Sequence, residues 1–294
     1  MSSLGAAGGL IALLISSFAW SGLDPLRKLL LEKVPPVAVL FVMTLGLVPA
    51  FALWVWAGDP VAIQPGYYLP AVGSIALNVG ANLAYLESVR RSPLSTTIPL
   101  LSLTPVFATL FGLGLLRELP GSLELLGIGL VVTGALALHL RPRGTGGGAF
   151  TALFSDTGSL LMMLVALLWA AAIGCDKLAI AAASGPVHGL VVMAGIGVAT
   201  FLMLVIRGQV RDLALFRQAP GLTVASLAVG FVAFGTQVIA LQTILIGVVE
   251  TVKRGIGNVL AVAMGRAIFG EPVTPLKVIA VLTMALGVAL VLLR

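Results

Sequence analysis

Apolar residues dominate the chain in stretches of about 20, broken by short polar or Pro/Gly punctuation. A bilayer core of ~30 Å takes about 20 helical residues to cross, so each stretch predicts a membrane-spanning helix. The predicted spans are 8–30, 36–57, 67–90, 93–116 and 119–140, then 157–180, 186–206, 219–243, 246–269 and 273–293. Pro35-Pro36, Asp59-Pro60, Ser92-Pro93, Pro120-Gly121, Gly185-Pro186, Pro220-Gly221 and Glu271-Pro272 mark the breaks. Only Arg141–Ser155, with Gly144 and Gly146–Gly148, is long enough for a flexible linker.

The pattern repeats. Trp20 and Lys28 in the first span share their eight-residue spacing with Trp169 and Lys177 in the sixth. Arg117-Glu118-Leu119-Pro120 closes span four as Gly270-Glu271-Pro272 closes span nine, and a glycine-bearing last helix follows each (Gly127, Gly129 and Gly134; then Gly287). The predicted fold is thus an all-α integral membrane protein of ten transmembrane helices, built as two five-helix repeats: 1–143, a linker over 144–156, and 157–294. An odd number of spans per repeat makes the topology inverted, and inverted repeats place a substrate site near the midplane, where the halves rock by alternating access.

Composition agrees: 59% of residues are hydrophobic and 10% charged, where a soluble domain carries about 25% charge. The net charge of +6 comes from cations at the ends of apolar runs, with no basic, aromatic-interleaved stripe for nucleic acid. Lys33, Arg90, Arg91, Arg141, Arg143, Arg207, Arg211, Arg217 and Lys277 fall on one side, with Arg27, Lys28 and Arg266 close by, against Arg117, Lys177 and Arg294 on the other. The positive-inside rule then puts both termini outside, in a multi-pass protein of the cell (inner) membrane. Met1–Gly9 lacks a basic residue, which argues against a cleaved signal peptide. A single cysteine, Cys175, excludes an internal disulfide, and neither His139 nor His188 has a sequence neighbour to complete a metal site; both are read as helix-end residues. No cofactor or metal is expected.

Within the spans, Lys253 and Arg254 stand about 10 Å into span nine, where each costs ~2.5–3.5 kcal/mol on insertion scales. Glu250, at i−3 and i−4, can pair with them. Two readings stand: Glu250 neutralises one cation while the other snorkels to the interface, or a cation faces a wet cavity and binds an anionic group. Asn78, Asn82 and Tyr85 share one face of span three, and Gln237 aligns near them when the repeats are superposed. They line the same cavity or bond neighbouring helices. Trp20 and Trp169, at mid-span, stack on substrate or fill space. Asp24, Lys28, Asp176, Lys177 and Glu250 are gating or coupling candidates, although a pair such as Asp176–Lys177 at a helix end is more often solvated. Ala108 with Gly112 and Ala261 with Gly265 permit close helix approach.

Thr104-Pro105-Val106-Phe107, Arg117-Glu118, Gly270-Glu271 and the two Trp–Lys spacings together resemble the EamA-type, ten-helix members of the drug/metabolite transporter superfamily. The resemblance runs over nearly the whole chain. It implies a secondary transporter without ATPase machinery, and so not an enzyme, acting on a small-molecule substrate as a monomer or homodimer in the lipid bilayer. Members usually keep both termini cytoplasmic, opposite to the charge bias here. Val252-Lys253-Arg254-Gly255, with Glu271-Pro272-Val273-Thr274-Pro275 downstream, is similar to the ninth helix of the plastid triose-phosphate and nucleotide-sugar transporter branch. There the Lys-Arg pair takes the substrate's phosphate. Export of an amino acid or another neutral or zwitterionic metabolite is the alternative within transport. A lipid-carrier-handling membrane protein is the alternative of another class; it predicts a His/Asp/Ser constellation on one membrane face, which the sequence does not display.

Overall fold

The structure, a computed structural model, describes residues 5–91, 98–139, 156–269 and 274–293. Among the described residues there is no strand. The α-helices are α1 (Ala6–Leu31), α2 (Pro36–Leu45), α3 (Val48–Ala57), α4 (Tyr68–Arg91), α5 (Thr104–Phe111), α6 (Ser122–His139), α7 (Thr157–Ala182), α8 (Gly185–Ile206), α9 (Pro220–Ala240), α10 (Ile246–Phe269) and α11 (Pro275–Leu292). Among the described residues, seven segments are long and apolar enough to cross a membrane: Ala7–Leu31, Pro36–Ala57, Pro65–Ser88, Thr157–Ala182, Gly185–Ile206, Pro220–Ala240 and Pro275–Leu292. Leu100–Leu116 and Ser122–Ala137 are apolar but shorter. The helix α10 has the length, and it carries Glu250, Lys253 and Arg254 in its first half.

Two predicted spans are not simple helices. Residues 36–57 form α2 and α3, which part at Gly46-Leu47. Pro49 lacks the N–H that would bond to Leu45, and its ring would strike that carbonyl. The stretch 93–116 begins outside the described residues, continues as a 3-10 helix over Ile98–Leu103, becomes α5, and widens into a π-turn over Gly112–Leu116. It ends on Arg117 in the left-handed region (φ 54°). The Glu118 N–H then bonds back to the Gly112 carbonyl at 2.9 Å and closes the turn. The predicted linker and the Gly270-Glu271-Pro272-Val273 stretch lie outside the described residues.

The chain packs as two compact units: Met1–Val79 with Cys175–Ile244, and Gly80–Gly174 with Leu245–Arg294. Each unit draws on both sequence halves, so packing units and predicted repeats are different divisions of the chain. In the first unit α1 runs antiparallel to α9. Gly9 closes on Thr243 at one end, and Leu23 lies over Gly230 at the other. The Ser16 hydroxyl also donates to the Ala233 carbonyl at 2.8 Å. Phe51 is fully buried on α3, edge-on to Phe231 and Phe234 of α9.

In the second unit the C-terminal part of α4 runs antiparallel to the N-terminal part of α7. Ser88 donates to the Gly158 carbonyl at 2.6 Å, and Leu168 reaches Gly80. Leu100, Leu101, Met162, Val165 and Ala166 form its buried core beside these helices. The helices α6 and α11 meet backbone to backbone: a Cβ on Gly127 would stand 2.6 Å from the Gly287 carbonyl oxygen, and one on Gly134 would stand 3.0 Å from that of Ala280. Gly247 of α10 gives the same close approach to Thr109 of α5. Small residues thus let helices touch where side chains would hold them apart.

Candidate functional site

The site is built on α10. Its start is capped by Glu118, whose Oε2 accepts from the Ile246 N–H at 2.9 Å. This satisfies one of the helix's free N–H groups and sets a negative charge at the positive end of the dipole. One turn on, Glu250 is buried, 3% exposed, and pairs with the Lys253 ammonium. Arg254 Nε stands 3.7 Å from Glu250 Oε2, within ion-pair range and too far for a hydrogen bond. Both atoms are buried and have no hydrogen-bond partner.

Arg254 leans instead on an aromatic. Its Cζ lies 5.9 Å from the Trp169 ring centroid, within cation–π range. The Trp169 ring in turn lies 6.1 Å from that of Tyr85, tilted by 33°. Asn258, one turn beyond Arg254 on the same face of α10, buries its Nδ2 without a hydrogen-bond partner. The second unit therefore gathers Tyr85, Trp169, Glu250, Lys253 and Arg254, with Asn82 half-buried one turn before Tyr85 on α4. Sequence reasoning missed Asn258. Its signal was the four-residue spacing from Arg254 within one span.

Other predicted site residues lie in the first unit. Trp20 Nε1 donates to Gln237 Oε1 at 2.9 Å, tying α1 to α9. Asn78 donates to the Ser74 carbonyl at 3.0 Å and to its hydroxyl at 3.3 Å. The Lys177 ammonium donates to the Ile244 carbonyl. Asp24 is exposed on α1, and the Lys28 side chain lies outside the described residues.

One group departs from expectation. Asp176 is not a solvated helix end: it is buried, and its Oδ1 accepts from the Ser74 hydroxyl and faces His188 Nε2 at 3.0 Å. His188 likewise has a carboxylate beside it. The tight turn from α7 to α8 folds His188 back onto Asp176, and α4 supplies Ser74 from the other side of the sequence. A Ser, an Asp and a His do come together, but in the wrong order for nucleophilic catalysis. That chemistry needs the imidazole between hydroxyl and carboxylate, and here the carboxylate is in the middle. Among the described residues no group of three or more His, Cys, Asp or Glu has geometry for a metal ion.

The EamA-like transporter family matches the chain over residues 7–140. No curated protein matches it. Among solved structures, one described as "Crystal structure of protein" superposes with a TM-score of 0.74, covering 98% of this chain and 97% of that one at 16% identity, a likeness of fold. The matched family is one of membrane transporters of small molecules and not of enzymes. The apolar helices, with that match, are those of a multi-pass membrane protein.

Proposed function

We propose that the whole chain is an EamA-type secondary transporter, ten transmembrane helices in two inverted five-helix repeats, which moves a small metabolite with an anionic group by alternating access. The observation that carries the substrate class is Arg254, a cation inside a spanning segment, with its Nε unsatisfied and one face against Trp169. A buried donor without a partner costs about 1–3 kcal/mol. A phosphate or carboxylate oxygen would satisfy it, and Asn258 Nδ2 with it, while Trp169 and Tyr85 offer flat apolar surface to the rest of the ligand.

The repeat reading is supported by a recurring helix pair. The start of α1 meets the end of α9 at Gly9 and Thr243, and Trp20 contacts Gln237. The start of α7 meets the end of α4 at Gly158 and Ser88, and Trp169 contacts Tyr85. In each pair the tryptophan follows its glycine by eleven residues. A zwitterionic amino acid is the second reading, favoured by Glu250 Oε2, a buried acceptor without a hydrogen bond that could take an ammonium.

A thermal-shift screen of phosphorylated, carboxylated and amino-acid metabolites tests both, since a ligand at 100 times its Kd raises stability by about 2.7 kcal/mol. The hit is expected to be an anion, and Arg254→Gln is expected to weaken it about 10- to 100-fold, the loss of a charge-assisted hydrogen bond. Equal stabilisation of both proteins by every hit would sink the anion site. Amino-acid hits sensitive to Glu250→Gln would favour the second reading.

Orientation has its own test. The 3-10 helix Val210–Gln218 that follows α8 holds Arg211 and Arg217, with Arg207 just before it, all exposed. With Cys175 replaced by alanine, a cysteine at the exposed Gln218 position is expected to resist an impermeant maleimide in intact cells and to react once they are permeabilised. Labelling of intact cells would reverse the proposed topology.

A further inference from the structure

The cluster of Ser74, Asp176 and His188 is unused by the site on α10. All three are buried in the first unit, at 0%, 4% and 0% exposure. The donors run in one direction: Asn78 Nδ2 donates to Ser74 Oγ at 3.3 Å, so the single hydroxyl proton of Ser74 goes to Asp176 Oδ1. That oxygen also faces His188 Nε2 at 3.0 Å. With the His188 proton on Nε2, that one oxygen accepts from two donors. The other ring nitrogen, Nδ1, is buried without a partner. So is the hydroxyl of Tyr67, whose ring stands edge-on to His188 with centroids 6.0 Å apart.

We propose that Asp176 and His188 form a proton-binding site, with Nδ1 of His188 as the atom that gains and loses the proton. With Nδ1 bare, the buried pair carries one net negative charge, which is costly away from water. With Nδ1 protonated, the pair is a neutral ion pair, but one N–H lacks an acceptor. Each state leaves one defect, so the balance turns on what reaches Nδ1. Water admitted by a helix movement, or the Tyr67 hydroxyl brought over by a rotamer change, would satisfy the proton and load the site. Removing that partner would release it to solvent.

The surrounding groups do not short-circuit this. From α4 and the turn before it come Tyr67, Ser74 and Asn78; α7 adds Cys175 and Lys177, the latter engaged with the Ile244 carbonyl; α8 adds no other titratable side chain. The proton taken here is available as a coupling ion, a role that rests on the transport reading, whereas the site itself does not.

The chain has two histidines, so in a His139→Gln background, labelled with 15N-histidine and held in lipid nanodiscs, His188 alone reports. Its ring nitrogens are expected to move from the neutral Nε2–H pattern to that of imidazolium as the medium is acidified. Asp176→Asn is expected to weaken proton binding at least tenfold, because the imidazolium loses its counter-charge. If that variant fails to fold, Ser74→Ala serves, with binding expected to strengthen as the carboxylate loses a donor. A ring that stays in one neutral tautomer throughout, or one that titrates identically in the variant, overturns the proposal and leaves a structural hydrogen bond. No substrate enters the measurement, so its failure is separate from a failure at Arg254.

Discussion

Glu250→Ala is expected to cost the folded protein about 3 kcal/mol or more, the largest effect of any single change at the site. The carboxylate is buried and faces two cations, Lys253 on one oxygen and Arg254 on the other. Removing it leaves both without a counter-charge on a largely apolar helix; on the proposal that α10 spans the membrane, each carries an insertion cost of ~2.5–3.5 kcal/mol. Arg254 keeps its contact with Trp169, which offsets only part of this. Midpoints of thermal unfolding in detergent, with the yield of monodisperse protein, measure the loss. Glu250→Gln should fall between, and adding Lys253→Gln to it should recover part of the deficit. An unchanged midpoint for Glu250→Ala would mean that lipid headgroups or water already solvate the two cations.

Gly287→Val is expected to be destabilising by roughly 2–3 kcal/mol, for a reason of shape alone. A Cβ there would lie 2.7 Å from the Gly127 carbonyl oxygen, 2.9 Å from Val131 Cγ2 and 3.0 Å from Leu130 Cβ. The first of these atoms is backbone and cannot rotate away, so α6 and α11 must part. Gly22→Ala is the matched control: nothing lies within 4 Å of its added Cβ, and alanine favours the helix by about 1 kcal/mol over glycine. The same unfolding measurement should separate the two clearly. Equal midpoints would show that the α6–α11 contact yields without loss.

These cases show where sequence reasoning reached and where it stopped. The bounds of α10 coincide with the predicted span, because apolar length and flanking polar residues define it directly. The break between α2 and α3 was missed, although Pro49 stood in the sequence to signal it. The glycines of spans five and ten punctuate the sequence, yet nothing along the chain says that Gly127 and Gly287 face each other while a Cβ on Gly129 would meet nothing within 4 Å. The Glu250–Lys253–Arg254 group was visible because its members lie within one helical turn. Asp176 was not, since its partners come from α4, about one hundred positions earlier, and from beyond a tight turn. Trp169 and Trp20 share a spacing but differ in company, one beside an arginine and a tyrosine, the other bonded to an amide. Local pattern reveals the elements and long-range contact decides what they carry.

The Glu118 cap has a consequence for how this family of shapes can vary. It grips α10 at Ile246, and Arg254 lies eight positions on, about 12 Å along the axis at 1.5 Å per residue. Each residue added or lost between them would swing the guanidinium by about 100° around that axis, carrying it off the indole face. If Arg254 and Asn258 hold the ligand as proposed, ligand preference can drift by exchanging those two side chains in place. It cannot drift by lengthening the segment that precedes them, so insertions should collect elsewhere in the chain.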